Sequence, residues 1–147
     1  MNIRRAPILT LAGVGLLGLL SLARCSEAAD AKPDTKAAVK AAEAWLALVD
    51  AGKYAECWDQ AATLLKSAVT KEEWLVKVKA VRPALGALGK RTLKSTTPLT
   101  ELPGAPDGEY VVIQYATSFA KKKSAVETIT PMKDPDGVWR VSGYYIK

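Results

Sequence analysis

Residues 108–147 alternate β-branched or aromatic runs with short polar breaks, and this pattern restricts the fold more than any other part of the chain. Glu109–Phe119 is followed by Lys121-Lys122-Lys123, then by Ser124–Met132, then by Asp134-Pro135-Asp136-Gly137 and Val138–Ile146. Runs of this composition read as strands. The second break is a turn with a mechanism: proline fixes φ, aspartate bonds its own backbone, and glycine accepts positive φ. The lysine run reads as a solvated hairpin loop that discourages edge pairing, with contact to a polyanion as the alternative. Strands joined this closely are antiparallel, and the apolar face of such a meander must be covered by something.

The cover comes from upstream. Over Lys36–Ala51 the positions Ala38, Ala41, Ala42, Trp45, Leu48 and Val49 share one helical face, Asp34 or Thr35 caps the start, and Gly52 ends the helix. A second helix is expected at once, because Tyr54, Cys57, Trp58, Ala61 and Leu65 keep helical spacing. Thr70-Lys71-Glu72-Glu73 is a capping box, with Val69 and Trp74 placed as a hydrophobic staple. It opens a third helix with Trp74, Val78, Val81 and Leu85 inward, and Pro83 predicts its end at Arg82. Arg91–Leu99 is the first strand, and Pro98 suits an edge or a bulge. Apolar residues on both faces of Glu109–Phe119 predict a central strand. In the last strand, period two sets Trp139, Val141 and Tyr145 on one face and Val138, Arg140 and Tyr144 on the other. The fold class is therefore α+β, with three N-terminal helices packed on a curved four-stranded antiparallel meander.

Residues 1–28 read differently. Arg4 and Arg5 precede an uncharged apolar run, Ile8–Leu22, and small residues follow at Ser26, Ala28 and Ala29. That is the layout of a secretory signal peptide, and the run is short against the roughly 20 apolar residues of a membrane span. Cleavage after Ala28 gives a soluble periplasmic or secreted chain. Leu22-Ala23-Arg24-Cys25 resembles a bacterial lipobox, but Arg24 stands where a small residue is normal, and only lipidation of Cys25 would tether the chain to a membrane. Cleavage lowers the formal net charge from +6 to +4, too mild a surplus to argue for nucleic acid. It leaves Cys57 as the single cysteine, so a packed core rather than a disulfide must hold residues 36–147, behind a linker at 29–35.

The stretches Asp107–Tyr115, Thr117–Phe119, Lys123–Met132 and Gly137–Tyr145, with Ala42–Trp45, Trp58 and Ser67–Thr70, resemble a bacterial exported family catalogued as domain of unknown function 4019. The resemblance implies the cone-shaped fold of the nuclear-transport-factor-2-like (cystatin-like) group. That fold hosts isomerases, dehydratases and plain binding modules, so it does not fix an activity.

No histidine occurs, which removes the commonest general base and metal ligand, and no cofactor or metal motif is present. Cys57 sits on an apolar stripe and reads as an inert buried thiol. Isomerase-like chemistry would need a carboxylate beside a proton donor, from Asp50, Asp59 or Glu127 with Tyr54, Tyr115 or Tyr144, yet no spacing selects a pair. Trp45, Trp58, Trp74 and Trp139 all fall on inward stripes. The favoured function is a non-catalytic binding module, for a small apolar ligand in the cone or an envelope protein on the sheet. Tyr115, Tyr54, Trp58 and Tyr144 are the candidate ligand-binding residues. An enzyme and a purely structural envelope protein are the alternatives.

Overall fold

The structure, a computed structural model, describes residues 34–147. The expected signal peptide, Cys25, the expected cleavage point at Ala28 and most of the expected linker lie outside the described residues. Helices α1 (Thr35–Asp50), α2 (Tyr54–Asp59), α3 (Thr63–Ala68) and α4 (Lys71–Leu85) precede strands β1 (Leu88–Leu99), β2 (Tyr110–Phe119), β3 (Lys122–Lys133) and β4 (Trp139–Ile146). The strands form one antiparallel sheet in the order β1-β2-β3-β4, so the chain is α+β with β2 central and Pro98 on an edge strand. Among the described residues no helix is long and apolar enough to cross a membrane.

The local signals act as their chemistry requires. Asp34 accepts from the amides of Lys36 and Ala37 and starts α1. Gly52, at φ +73°, lets the chain leave it. At α4, the Thr70 hydroxyl accepts from the Glu73 amide at 3.2 Å and the Glu73 carboxylate accepts from the Thr70 amide at 2.9 Å, completing the capping box. α1 lies across all four strands. Its buried Trp45, Leu46 and Val49 meet Val111, Ile113, Tyr115, Ile129 and Val141 in the core. Each such side chain contributes about 1.5–3 kcal/mol by leaving water.

Three expectations are corrected. The second helix is two helices, because the chain unwinds at Ala61–Ala62 to dock on the sheet. The Ala62 amide donates to the Val141 carbonyl at 2.8 Å, and Asp134, from the β3–β4 turn, accepts from the Thr63 amide at the start of α3. Both alanines are buried where the chain meets the sheet. Four helices therefore stand where three are predicted. Next, α4 does not stop at Arg82. It carries Pro83 inside its last turn and ends at Gly86, which takes φ +78°. Lastly, β4 changes face midway. Pro131 of β3 has no amide to give the ladder, and at that point Thr130 pairs with Gly143 while Pro131 pairs with Val141, leaving Ser142 as an extra residue. One extra residue inverts the parity beyond it. Tyr144, not Tyr145, thereby joins Trp139 and Val141 against the core, and Tyr145 is half exposed.

Candidate functional site

Among the described residues, Glu127 of β3 is a wholly buried acid within the otherwise largely apolar core. A lone ionised carboxylate cannot persist there, because the desolvation cost is too large. Four donors compensate it. Arg91 of β1 donates from Nε at 2.6 Å and from Nη2 at 3.0 Å. Thr117 of β2 donates its hydroxyl at 2.6 Å, and Tyr144 of β4 donates its hydroxyl at 2.6 Å. Every strand thus contributes one side chain. The cluster extends into the helices through Arg91, which also donates to Asp50 at 2.7 and 3.1 Å. Asp50 closes α1, a position the helix dipole disfavours for an anion, and it is held there by Arg91 and by Nη2 of Arg82 from α4 at 2.8 Å.

The protonation states follow from these contacts. Burial pushes the Glu127 carboxyl up, but the hydrogen bonds from Arg91, Thr117 and Tyr144 outweigh it and hold the group below the ordinary glutamate value. Burial, then the charge of Glu127, pushes the Tyr144 phenol up, so it remains a donor. Glu127 is therefore an occupied anion rather than a free base. Its acceptor positions are filled by charge-assisted bonds, and moving a proton onto it would break them.

Two buried polar atoms have no partner among the described residues: Nη1 of Arg82 and the hydroxyl of Tyr115. Arg82 lies over the Phe119 ring, with its guanidinium carbon 4.8 Å from the ring centre. Burial pushes the Tyr115 phenol up to about 12.

Beside this network a groove of about 260 Å³ opens between α4 and β4. Its walls are Trp74, Val78 and Val81 on one side and Tyr144, Tyr145 and Ile146 on the other, with Lys77 and Arg82 as the charged members. Val81 and Tyr145 are each about half exposed, 48 % and 50 %, so the groove presents apolar surface to solvent. A wider depression of about 670 Å³ lies at the other end of the strands, around Glu101, Asp107, Glu109 and Lys133. It holds no member of the buried network and its one lysine is already paired with Glu109, so the groove is the better candidate.

The residues singled out from the sequence fall in three places. Tyr144 lines the groove and bonds Glu127. Tyr115 is 3 % exposed in the core. Tyr54 and Trp58 belong to the helical layer: Trp74 donates its indole N–H to the Tyr54 carbonyl at 2.8 Å, and Trp58 donates its own to the Val69 carbonyl at 3.0 Å. Trp45 similarly donates to the Cys57 carbonyl, so three indoles fasten neighbouring segments. Asp59 pairs on the surface with Lys71. Cys57 is buried and free, and burial pushes its thiol up to about 12. Arg82, Arg91 and Thr117 were the members that sequence reasoning missed. The available signal was Glu127 itself, an acid at an inward position between Ala125 and Ile129, which demands a cationic partner. Among the described residues no group of three or more histidine, cysteine, aspartate or glutamate side chains is placed to hold a metal.

The model of a family of proteins of unknown function, DUF4019, matches residues 41–144, from mid-α1 to the tyrosine that bonds Glu127. The chain belongs to the DUF4019 family. No curated protein matches it. The matched span contains Asp50, Arg82, Arg91, Thr117, Glu127 and Tyr144, so the whole buried network lies inside the DUF4019 region.

Proposed function

We propose that this DUF4019 chain is an exported, non-catalytic binding module that takes a small, mostly apolar ligand in the α4–β4 groove, with Tyr144 in its wall. The observation that carries the reading is the pairing of an apolar, solvent-facing groove with a carboxylate–tyrosine pair that is fully engaged. An apolar cleft with a few fixed polar groups is the usual form of a small-molecule site. Glu127 and Tyr144, the acid–phenol pair hydrogen-bonded among the described residues, serve to hold the wall rather than to move protons. That same pair, 2.6 Å apart beside the groove, is what favours the second reading, an isomerase- or dehydratase-like enzyme. We place the helices and sheet in the cone-shaped nuclear-transport-factor-2-like arrangement, with export to the periplasm or the exterior by cleavage near Ala28. The mass of the chain recovered from its native envelope tests export: a start between Ser26 and Lys32 supports it, and a lipidated Cys25 replaces the soluble form with an anchored one.

The binding test is a thermal-shift screen of small apolar compounds, followed by recovery of each hit. Compounds that raise the midpoint and return unchanged support the module. A hit returned chemically altered makes the chain an enzyme, and a screen with no hits leaves the structural envelope role in front.

A further inference from the structure

We infer that the α4–β4 groove receives an amphiphile with a short alkyl body and a single carboxylate, seated against Arg82. This rests on the groove reading above and adds the chemistry of the ligand. The apolar walls, Trp74, Val78, Val81 and Ile146, suit an alkyl chain. The two charged members of the wall, Lys77 and Arg82, are both cations, and no carboxylate lines the groove. Arg82 is 93 % buried, its exposure being 7 %, and its Nη1 finds no acceptor among the described residues. Asp50 accepts from Nη2 of Arg82 and from Arg91, but makes no bond to Nη1. A guanidinium presents its donors as a planar fork that matches a carboxylate, and a buried donor left unmade is unfavourable. Arg82 and Lys77 together give the groove wall a positive potential that an incoming carboxylate complements. The groove holds the space of about nine waters, so the alkyl part is short.

The test is calorimetric titration of the purified full chain with octanoate, octan-1-ol and octylammonium. Octanoate is expected to bind at least about tenfold more tightly than octanol, with octylammonium weakest, as a charge-assisted pair requires. Val81→Asp places an anion at the half-exposed groove wall and is expected to weaken octanoate at least about tenfold while affecting octanol far less. Arg82→Gln should abolish the preference for the acid. Because Arg82 also holds Asp50, near-ultraviolet circular dichroism checks that this variant is folded, and Val81→Asp decides the matter independently. Equal affinity for octanoate and octanol overturns the carboxylate inference and leaves the groove reading standing. No binding of any of the three overturns both. Octanoate binding untouched by Val81→Asp places the site elsewhere and overturns the inference.

Discussion

Two tyrosines share the core-facing side of the sheet and differ in one respect: the Tyr144 hydroxyl bonds an ionised carboxylate at 2.6 Å, and the Tyr115 hydroxyl bonds nothing among the described residues. Changing each to phenylalanine should therefore shift stability in opposite directions. Tyr144→Phe removes a hydrogen bond to a charged acceptor, worth about 1.5–3 kcal/mol, and leaves buried Glu127 one donor short. Tyr115→Phe removes a hydroxyl whose desolvation is uncompensated, a burden of about 1–3 kcal/mol. The gap it leaves is smaller than a methyl group and returns less than about 1 kcal/mol of that gain. The expected outcome is a loss of about 2 kcal/mol for Tyr144→Phe and a gain of about 1 kcal/mol for Tyr115→Phe. For a domain of this size 1 kcal/mol moves the melting temperature by about 4 °C, so the two variants should lie roughly 12 °C apart. Urea titration followed by tryptophan fluorescence gives the same comparison isothermally, with the m-value unchanged in both. If Tyr115→Phe lowers stability by 1 kcal/mol or more, its hydroxyl is bonded and the orphan assignment is wrong. A neutral Tyr144→Phe would show that the bond to Glu127 contributes nothing.

Thr70→Ala should lower the denaturant midpoint by about 1 kcal/mol at constant m-value, since it removes the capping-box acceptor at α4. Glu127→Gln should cost about 1.5–3 kcal/mol at pH 7, because the bonds from Arg91, Thr117 and Tyr144 lose their anionic acceptor while Asp50 still pairs with Arg91. The pH dependence has a defined sign: the folded Glu127 carboxyl sits below its unfolded value, so its contribution is full above about pH 4.3 and is lost as the pH falls through the folded value. The gap between wild type and Glu127→Gln, followed by chemical denaturation across that range, should narrow on acidification, and a gap constant to pH 3 would contradict the assignment. Cys57, buried with its thiol pushed up to about 12, should resist a thiol reagent such as dithionitrobenzoate in the folded protein and react once denaturant is added. Rapid labelling of Cys57 in the folded chain, told apart from Cys25 by peptide mass, would contradict its burial.

Features encoded by neighbours in sequence were legible, and features decided by distant partners were not. The Thr70–Glu73 box, the Asp34 cap, the Gly52 exit and the Asp134–Gly137 turn each depend on residues a few positions apart. The break at Ala61–Ala62 depends on a carbonyl at Val141, 79 positions away, which helical spacing cannot register. The parity of Tyr144 and Tyr145 turned on an extra residue at Ser142 opposite Pro131, so strict alternation assigned the wrong tyrosine to the core. Of the site, Asp50, Glu127 and Tyr144 were among the candidates, because isomerase-like chemistry asks for a carboxylate beside a proton donor. Arg82 and Arg91 entered only as the end of a helix and the start of a strand, since their partners lie 32 to 41 positions away.

The claim that this DUF4019 chain binds in the α4–β4 groove without chemistry is tested most directly by an amide and indole NMR titration of the full chain with octanoate, with the octanoate spectrum followed for a day. Saturable shifts are expected at the Trp74 indole, Val78, Val81 and Tyr144–Ile146, with octanoate unchanged throughout. Shifts confined to the depression around Asp107 and Lys133, an absence of shifts, or a new product signal would contradict it.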